Sequence, residues 1–150
     1  MTSSSLGDNK VMQIGLVVEN IDDAVQAWSL VLGIDPPSII ITDNVDIAHT
    51  QYQERPTPAQ ARLAFFDLGQ VTLELIQPVD EPSTWNDQLV VHGPSLHHIA
   101  FEIKGMEKHI GRLAKHGLRL IQRGDYNGGR YAYVDGQKKF GTVIELLEND

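Results

Sequence analysis

The sequence predicts an α+β fold in which two tandem βαβββ modules form one curved mixed sheet around a cleft. The main observation is a repeated order of predicted elements. Residues 11–77 and residues 96–148 each show a strand, a helix and then three strands. Short motifs also recur at corresponding places in the two modules, and the period is longer than that of a solenoid repeat.

The length and composition indicate one globular domain over residues 11–150. A chain of 150 residues can bury a core, and 41% hydrophobic with 21% charged residues is typical of folded proteins. The net charge of −8 argues against nucleic acids and anionic membranes as partners. The absence of cysteine excludes disulfides and thiolate metal sites.

The start of the chain predicts no targeting segment. Residues 1–10 are polar and rich in serine, which favours a flexible N-terminus over a signal peptide. No apolar run reaches the length of a membrane span. We therefore expect a cytoplasmic protein that has no membrane partner.

The first module opens with a strand and an amphipathic helix. Apolar residues alternate over residues 12–18, as in a strand with one packed face. Asn20 is a suitable helix N-cap, apolar residues then follow at helical spacing, and Gly33 ends the helix. The three further strands are predicted at residues 38–42, 62–67 and 71–76, and the polar segment of residues 43–60 contains an additional strand candidate at residues 45–52.

A connection rich in proline and glycine over residues 78–95 joins the modules and carries Trp85. In the second module, residues 97–103 form a predicted strand, and helical spacing predicts a helix from Met106 to Gly117. The remaining segments are strands at residues 118–122, 130–135 and 142–147, with a glycine-rich loop at residues 124–129.

The repeat places polar residues at matching positions of otherwise apolar strands. Gln13 corresponds to His98, 85 positions later, and Glu74 corresponds to Glu145. If a pseudo-two-fold axis relates the modules, these four side chains converge on one point. Buried carboxylates are costly unless they are paired or bind a metal. An imidazole, an amide oxygen and two carboxylates suit one divalent ion, Zn, Co, Ni or Mn.

A structural role is the alternative for each of these residues taken alone. A glutamate near a strand end usually faces solvent, and a single histidine on a strand is usually structural. The symmetric pairing favours the metal site, because packing gives no reason for glutamate to recur at equivalent strand positions. The sequence therefore predicts a metal cleft shared by the two modules.

The repeat and three segments resemble the vicinal oxygen chelate superfamily of glyoxalases, bleomycin-resistance proteins and dioxygenases. Residues 68–78, 96–102 and 141–146 are similar to its methylmalonyl-CoA epimerase-like branch. The resemblance implies a glyoxalase-like fold. It also implies that the metal ligands are Gln13, Glu74, His98 and Glu145. Epimerase-like members usually have histidine at the position of Gln13.

His98 is the ligand by the repeat alignment, and strand alternation predicts that His97 points the other way. His49, His92, His109 and His116 are expected to be non-ligands.

The resemblance implies a metal-dependent isomerase or lyase that removes a proton next to a carbonyl group through an enolate. Glu145 is the first choice for the base and Glu74 the second. The substrate is expected to be a small acyl thioester or an α-oxo compound. The alternatives are a lactoylglutathione lyase (glyoxalase I)-like enzyme and a non-catalytic protein that binds or sequesters small molecules. Gln13 argues against an iron dioxygenase, which would use two histidines.

Three further residues are candidates for substrate binding. Arg123 and Arg130 are suited to an anionic substrate tail, and Tyr133 is placed to line the cleft. Trp85 is a candidate either for covering the site or for packing at a dimer interface. We expect a homodimer, because family members often dimerise.

Overall fold

The structure, a computed structural model, describes residues 6–150; residues 1–5 of the predicted flexible terminus lie outside the described residues. Leu6 packs against the core of the second module. The described strands are β1 (Gln13–Val17), β2 (Ile40–Ile41), β3 (Gln51–Tyr52), β4 (Arg55–Pro56), β5 (Gln60–Asp67), β6 (Thr72–Val79), β7 (Ser95–Glu102), β8 (Leu120–Tyr126), β9 (Gly129–Val134) and β10 (Val143–Asn149). The helices are α1 (Ile21–Leu32), α2 (Val45–Ala48), α3 (Thr84–His92), α4 (Met106–Lys115) and α5 (Gln137–Phe140).

The strands form one curled mixed sheet in the order β2-β5-β6-β1-β7-β10-β9-β8-β3-β4. The first eight of these positions are symmetric, since β2-β5-β6-β1 of the first module mirrors β8-β9-β10-β7 of the second. The antiparallel pair β1 and β7 lies at the centre, with β6 parallel to β1 and β10 parallel to β7. The predicted α+β fold of two βαβββ modules is confirmed.

Helices α1 and α4 cover the same face of the two half-sheets. Asn20 caps α1 by accepting a hydrogen bond from the backbone N–H of Asp23, and Gly33 ends it in a left-handed conformation. Apolar side chains of α1 pack with Leu75 of β6, and those of α4 pack with Leu146 of β10. Because side chains alternate along a strand, the neighbouring glutamates of β6 and β10 face away from these helices.

The predicted strand at residues 45–52 is wrong in its first half, which forms helix α2. Asn44 accepts a hydrogen bond from the N–H of Asp46, and His49 ends the helix in a left-handed conformation. Strand β3 then pairs with β8 of the second module. The segment between β2 and β5 therefore spans from one edge of the sheet to the other.

The predicted connection between the modules contains helix α3. Ser83 caps this helix by accepting a hydrogen bond from the N–H of Asn86, and Gly93 follows its last residue. Trp85 in its first turn is buried in a core cluster with Val17 and Ile76. The helix has little amphipathic pattern, and the prolines and glycine around it favour a connection without regular structure, so the sequence did not predict the helix.

The predicted glycine-rich loop at residues 124–129 is mostly strand, because β8 and β9 form a tight hairpin. Only Asn127 and Gly128 lie between the two strands. A Cβ atom at Gly124 would lie 2.8 Å from the Tyr131 ring, and one at Gly129 would lie 2.4 Å from the Glu148 carbonyl oxygen. Both glycines therefore serve close packing within the sheet. None of the helices in residues 6–150 has the length and apolar character needed to cross a membrane.

Candidate metal centre

The four residues that the repeat singled out lie on the four central strands of the sheet. Gln13 is on β1, His98 on β7, Glu74 on β6 and Glu145 on β10. Ligand atoms of Glu74, His98 and Glu145 all lie within 4.8 Å of one another, and the three residues are buried. His98 Nε2 is 3.3 Å from Glu74 Oε1 and 3.2 Å from Glu145 Oε2. The sequence-predicted residues on β6, β7 and β10 are thus brought together.

Two atoms of this cluster, Glu74 Oε1 and His98 Nε2, are in ion-pair contact but form no well-aligned hydrogen bond with the described residues. Gln13 lines the same cleft as Glu74 and Glu145, and its buried Oε1 has no hydrogen-bond partner among the described residues either. Buried polar atoms without partners cost roughly 1–3 kcal/mol each. One amide oxygen, one imidazole nitrogen and two carboxylates form a donor set that suits a divalent ion such as Zn, Co, Ni or Mn. The residues present therefore fit the metal that the sequence predicts.

The ionisable groups of the cluster are coupled. Burial raises the pKa of Glu145 to about 7, while the neighbouring His98 and a hydrogen bond from Tyr133 act to lower it. Burial disfavours the charged His98 imidazole, but the carboxylates of Glu145 and Glu74 outweigh it and raise the pKa of His98 above its usual value. Near neutral pH the cluster therefore holds protons more readily than isolated groups would.

Gly15 creates the space for the His98 ring. A Cβ atom at Gly15 would lie 2.2 Å from His98 Cε1 and 2.6 Å from each ring nitrogen, far inside contact distance. Gly15 and His98 are register partners across the central pair of strands. The 85-residue shift that relates Gln13 to His98 also relates Gly15 to Ala100, but it indicates no role for Gly15, because the need for a residue without a side chain appears only when β1 and β7 are paired.

The predicted orientation of His97 is wrong. The β1–β7 register pairs Gly15 with His98 and then Leu16 with Leu96, so His97 is the extra residue of a β-bulge. Simple alternation fails at a bulge, and the two imidazoles lie together, with 2.9 Å between their Nδ1 atoms. Burial, with the charge of His98, lowers the pKa of His97 well below its usual value.

The centre opens into a cleft of about 580 Å³. Its walls are apolar and aromatic, and include Leu63, Phe65, Trp85, Tyr131, Tyr133 and Leu147. The Trp85 Nε1–H donates a hydrogen bond of 3.0 Å to the Tyr133 hydroxyl. Trp85 is only 4% exposed, so it forms part of the buried wall of the cleft. Tyr133 lies in the cleft as the sequence predicted.

The structure does not bring the two predicted arginines into this cleft. Arg123 pairs with Glu107 at 2.6 Å, and Arg130 pairs with Glu148 at 3.0 Å as well as with Asp150. Neither arginine is among the residues that line the cleft. Their side chains serve carboxylates on neighbouring elements.

Asp43 and Asp125 line the cleft and were missed by sequence reasoning. Asp125 pairs with His49 at 2.9 Å. Asp43 belongs to the segment that crosses between the sheet edges, and Asp125 lies near the β8–β9 turn, so no local pattern marks either residue.

The four histidines that the sequence predicts to be non-ligands are His49, His92, His109 and His116. Among residues 6–150, the cluster of Glu74, His98 and Glu145 contains none of them. The ring of His109 bonds instead through Nδ1 to the Gly105 carbonyl oxygen.

Residues 12–134 match the family model of the glyoxalase/bleomycin resistance protein/dioxygenase superfamily. The chain belongs to this superfamily. The match covers both modules as far as β9, and it agrees with the resemblance seen in the sequence. The curled sheet of two βαβββ modules is thus the glyoxalase-like fold of that superfamily.

One protein is similar to this chain in sequence, and solved structures of methylmalonyl-CoA epimerases are similar to it in fold. The chain is 29% identical over 143 residues to the uncharacterized protein YqjC of Bacillus subtilis (strain 168), covering 93% of this chain and 92% of that protein. The methylmalonyl-CoA epimerase from Mycobacterium tuberculosis is similar with a TM-score of 0.65 at 20% identity, over 100% of this chain and 93% of that chain. A methylmalonyl-CoA epimerase in complex with methylmalonyl-CoA and NH4+ has a TM-score of 0.63 at 18% identity, over 93% and 94% of the chains.

Proposed function

We propose that this glyoxalase-superfamily protein is a metal-dependent enzyme that removes a proton next to a carbonyl group, as an isomerase similar to methylmalonyl-CoA epimerase. The observation that carries the proposal is the buried cluster of His98, Glu74 and Glu145 beside an apolar cleft, in which Glu74 Oε1 and His98 Nε2 form no hydrogen bond. The similarity in fold to epimerases gives further support.

Gln13, Glu74, His98 and Glu145 would hold the metal. A divalent ion bound there supplies positive charge that offsets the negative charge developing on a substrate carbonyl oxygen as the proton leaves.

Glu145 is the proposed base. It lines the cleft together with Glu74, and its carboxylate can accept a proton from the substrate and return it. Burial and the charges of Glu145 and Glu74 raise the pKa of Tyr133 well above its usual value, so its hydroxyl stays protonated and can donate to Glu145. Glu74 lies across the pseudo-two-fold axis and is the second candidate for the base.

The cleft walls indicate the substrate class. The described residues that line the cleft include no lysine or arginine, while Asp43 and Asp125 add negative charge to it. The part of the substrate that the cleft encloses, beyond the chelating oxygens, is therefore expected to be uncharged and apolar, and a charged carrier moiety would extend out of the cleft. A small acyl thioester or an α-oxo compound with an aliphatic body fits these conditions.

Two alternatives from the sequence are a lactoylglutathione lyase and a non-catalytic binding protein. The glutathione moiety of a lactoylglutathione lyase substrate would, like a coenzyme A moiety, extend out of the cleft, so the cleft lining does not separate the two enzymes and the assays below must. A non-catalytic protein that binds or sequesters small molecules is supported by the apolar walls and the volume of about 580 Å³. A purely binding role gives no reason for the buried carboxylates of Glu74 and Glu145. A homodimer and a cytoplasmic location stay predictions.

Metal content and proton exchange test the proposal together. We expect elemental analysis to find about one divalent ion per chain after loading with Zn, Co, Ni or Mn. With metal bound, methylmalonyl-CoA in D2O should lose its α-proton signal in NMR spectra, and lactoylglutathione formation should be absent. A protein that takes up no metal and shows no thermal shift with any of these ions would favour the binding protein.

The Glu145→Gln variant tests the assigned base. We expect exchange to fall at least 100-fold, because the amide cannot accept the proton, and metal affinity to fall as well. Glu54→Gln in the exposed turn between β3 and β4 is the matched control and should change neither quantity. Full metal content together with full turnover in Glu145→Gln would show that the role is wrongly assigned.

A further inference from the structure

A buried chain of hydrogen bonds leads from helix α3 to the imidazole of His98. The backbone N–H of Thr84 lies 2.8 Å from Gln122 Oε1, and the Thr84 hydroxyl lies 3.1 Å from the same oxygen. The hydroxyl is also 3.0 Å from His97 Nε2, and His97 Nδ1 is 2.9 Å from His98 Nδ1. All four residues are buried, and His97 and His98 are fully buried.

The direction of these hydrogen bonds follows from the first donor. A backbone N–H can only donate, so the Gln122 atom that faces Thr84 is the amide oxygen. The other end of that amide then donates to the Tyr131 hydroxyl at 3.1 Å. Because the amide oxygen has no proton, the Thr84 hydroxyl must donate to it. With its one proton donated to Gln122, the hydroxyl oxygen can only accept a further hydrogen bond, so His97 Nε2 carries a proton and donates it to Thr84.

The proton on His97 Nε2 determines the tautomer of His98. The described partners of the His97 ring nitrogens are the hydroxyl and the backbone of Thr84 and the ring of His98, and none of them is a carboxylate that would balance a charged imidazole. A fully buried His97 without a counter-ion is neutral and therefore has a bare Nδ1. The two Nδ1 atoms are in hydrogen-bond contact, so the proton between them belongs to His98. When His98 is neutral, its Nε2, which lies between Glu74 and Glu145, is therefore the nitrogen without a proton.

We infer that Thr84 and His97 are positioning residues that fix the metal-ligating tautomer of His98 through this chain. The inference rests on the proposed function, because it assumes that His98 Nε2 binds a metal ion. The bulge that places His97 beside His98 is then part of the site, since it brings the ring nitrogen that accepts the His98 proton. Groups that orient a ligating histidine typically change metal affinity about 10- to 100-fold when they are removed.

Thr84→Val and Thr84→Ser test the inference with little change in shape. Valine lacks the hydroxyl that accepts the His97 proton, so His97 is expected to carry its proton on Nδ1 and donate it to His98. His98 would then be protonated on Nε2, where the metal binds. The expected result is a zinc affinity about 10- to 100-fold lower in Thr84→Val, with Thr84→Ser like the wild type. Isothermal titration calorimetry measures this difference.

Nitrogen-15 NMR of the histidine rings shows directly which ring nitrogen carries the proton in the metal-free protein. The comparison is made at a pH where the spectra show that the His98 ring is neutral. We expect the proton of His98 on Nδ1 in the wild type and Thr84→Ser, and on Nε2 in Thr84→Val. The inference is overturned if Thr84→Val keeps the Nδ1 proton and binds zinc within twofold of Thr84→Ser. A wild-type protein that binds no metal would refute the proposed function, whereas the tautomer comparison would still decide the inference.

A second pair of variants covers the case in which Thr84→Val does not fold. His97→Asn keeps an oxygen that can accept the His98 proton, whereas His97→Leu fills similar space without an acceptor. We expect zinc affinity near that of the wild type for His97→Asn and a loss of about 10- to 100-fold for His97→Leu. Equal affinities for the two variants would contradict the positioning role of His97.

Discussion

Gly15 offers the sharpest test of the proposed site, because the backbone of β1 at this residue lies directly against the His98 ring. Replacement by alanine adds a single methyl group, whose carbon would lie 2.2 Å from His98 Cε1. Carbon atoms pack at about 3.5 Å or more, so the ring or the strand must move by over ~1 Å. His98 is fully buried and contacts both carboxylates at 3.2 to 3.3 Å, so a shift of the ring alters both contacts.

The expected consequence is loss of the metal site with modest loss of stability. Metal–ligand distances hold to about 0.2 Å, so a shift of the ring by over ~1 Å should lower zinc affinity at least tenfold. Overpacking of this kind costs about 1–3 kcal/mol, which lowers Tm by roughly 2–10 °C in a protein of this size. Isothermal titration calorimetry with zinc and differential scanning calorimetry of the metal-free protein measure the two effects.

Gly111→Ala is the matched control for this variant. Gly111 lies within α4, and a Cβ atom there meets nothing within 4 Å. Alanine in a helix interior is about 1 kcal/mol more favourable than glycine, so this variant should be slightly more stable and bind zinc like the wild type. The reasoning is refuted if Gly15→Ala keeps both the zinc affinity and the Tm of the wild type.

Three further predictions follow from the contacts of the site. Zinc affinity should fall as pH decreases through about 7, because Glu145, with its pKa of about 7, and His98 take up protons that compete with the metal. Equal affinities at pH 6 and pH 8 in calorimetry would contradict this. Tyr133→Phe should move the midpoint of this pH dependence to higher pH, because Glu145 loses a hydrogen bond that lowers its pKa. Tyr126→Phe, elsewhere on the cleft wall, should leave the midpoint unchanged. Trp85→Phe should lower the free energy of unfolding by about 1–3 kcal/mol through lost packing and the lost bond to Tyr133, as urea denaturation would show, and an unchanged midpoint would argue against that contact.

Elements with a strong internal pattern were predicted to within a few residues. The apolar spacing and the caps at Asn20 and Gly33 identified α1, and alternation identified β1, β5, β6 and β7. Short elements were missed or misassigned. Helix α2 has four residues, β3 and β4 have two each, and helix α3 lies among prolines. Such segments are stabilised by what they contact, so their own residues carry too little signal.

The sequence by itself determined the repeat, and the repeat determined the pairs Gln13–His98 and Glu74–Glu145. Periodicity and recurrence are properties of local residue order, so they can be read without knowing the contacts between distant segments. The equivalence of the two glutamates also predicted that they would meet, since a pseudo-two-fold axis between the modules brings matching positions to one point; in the structure their strands, β6 and β10, flank the central pair β1 and β7.

Only the tertiary structure decided which residues surround this centre. The bulge at His97 depends on how β7 pairs with β1, and the chain through Thr84 and Gln122 joins residues 38 positions apart. The pairing of β3 with β8 and the ion pairs that occupy Arg123 and Arg130 likewise join distant segments. Each of these contacts depends on the relative placement of elements, which no local pattern of residues encodes.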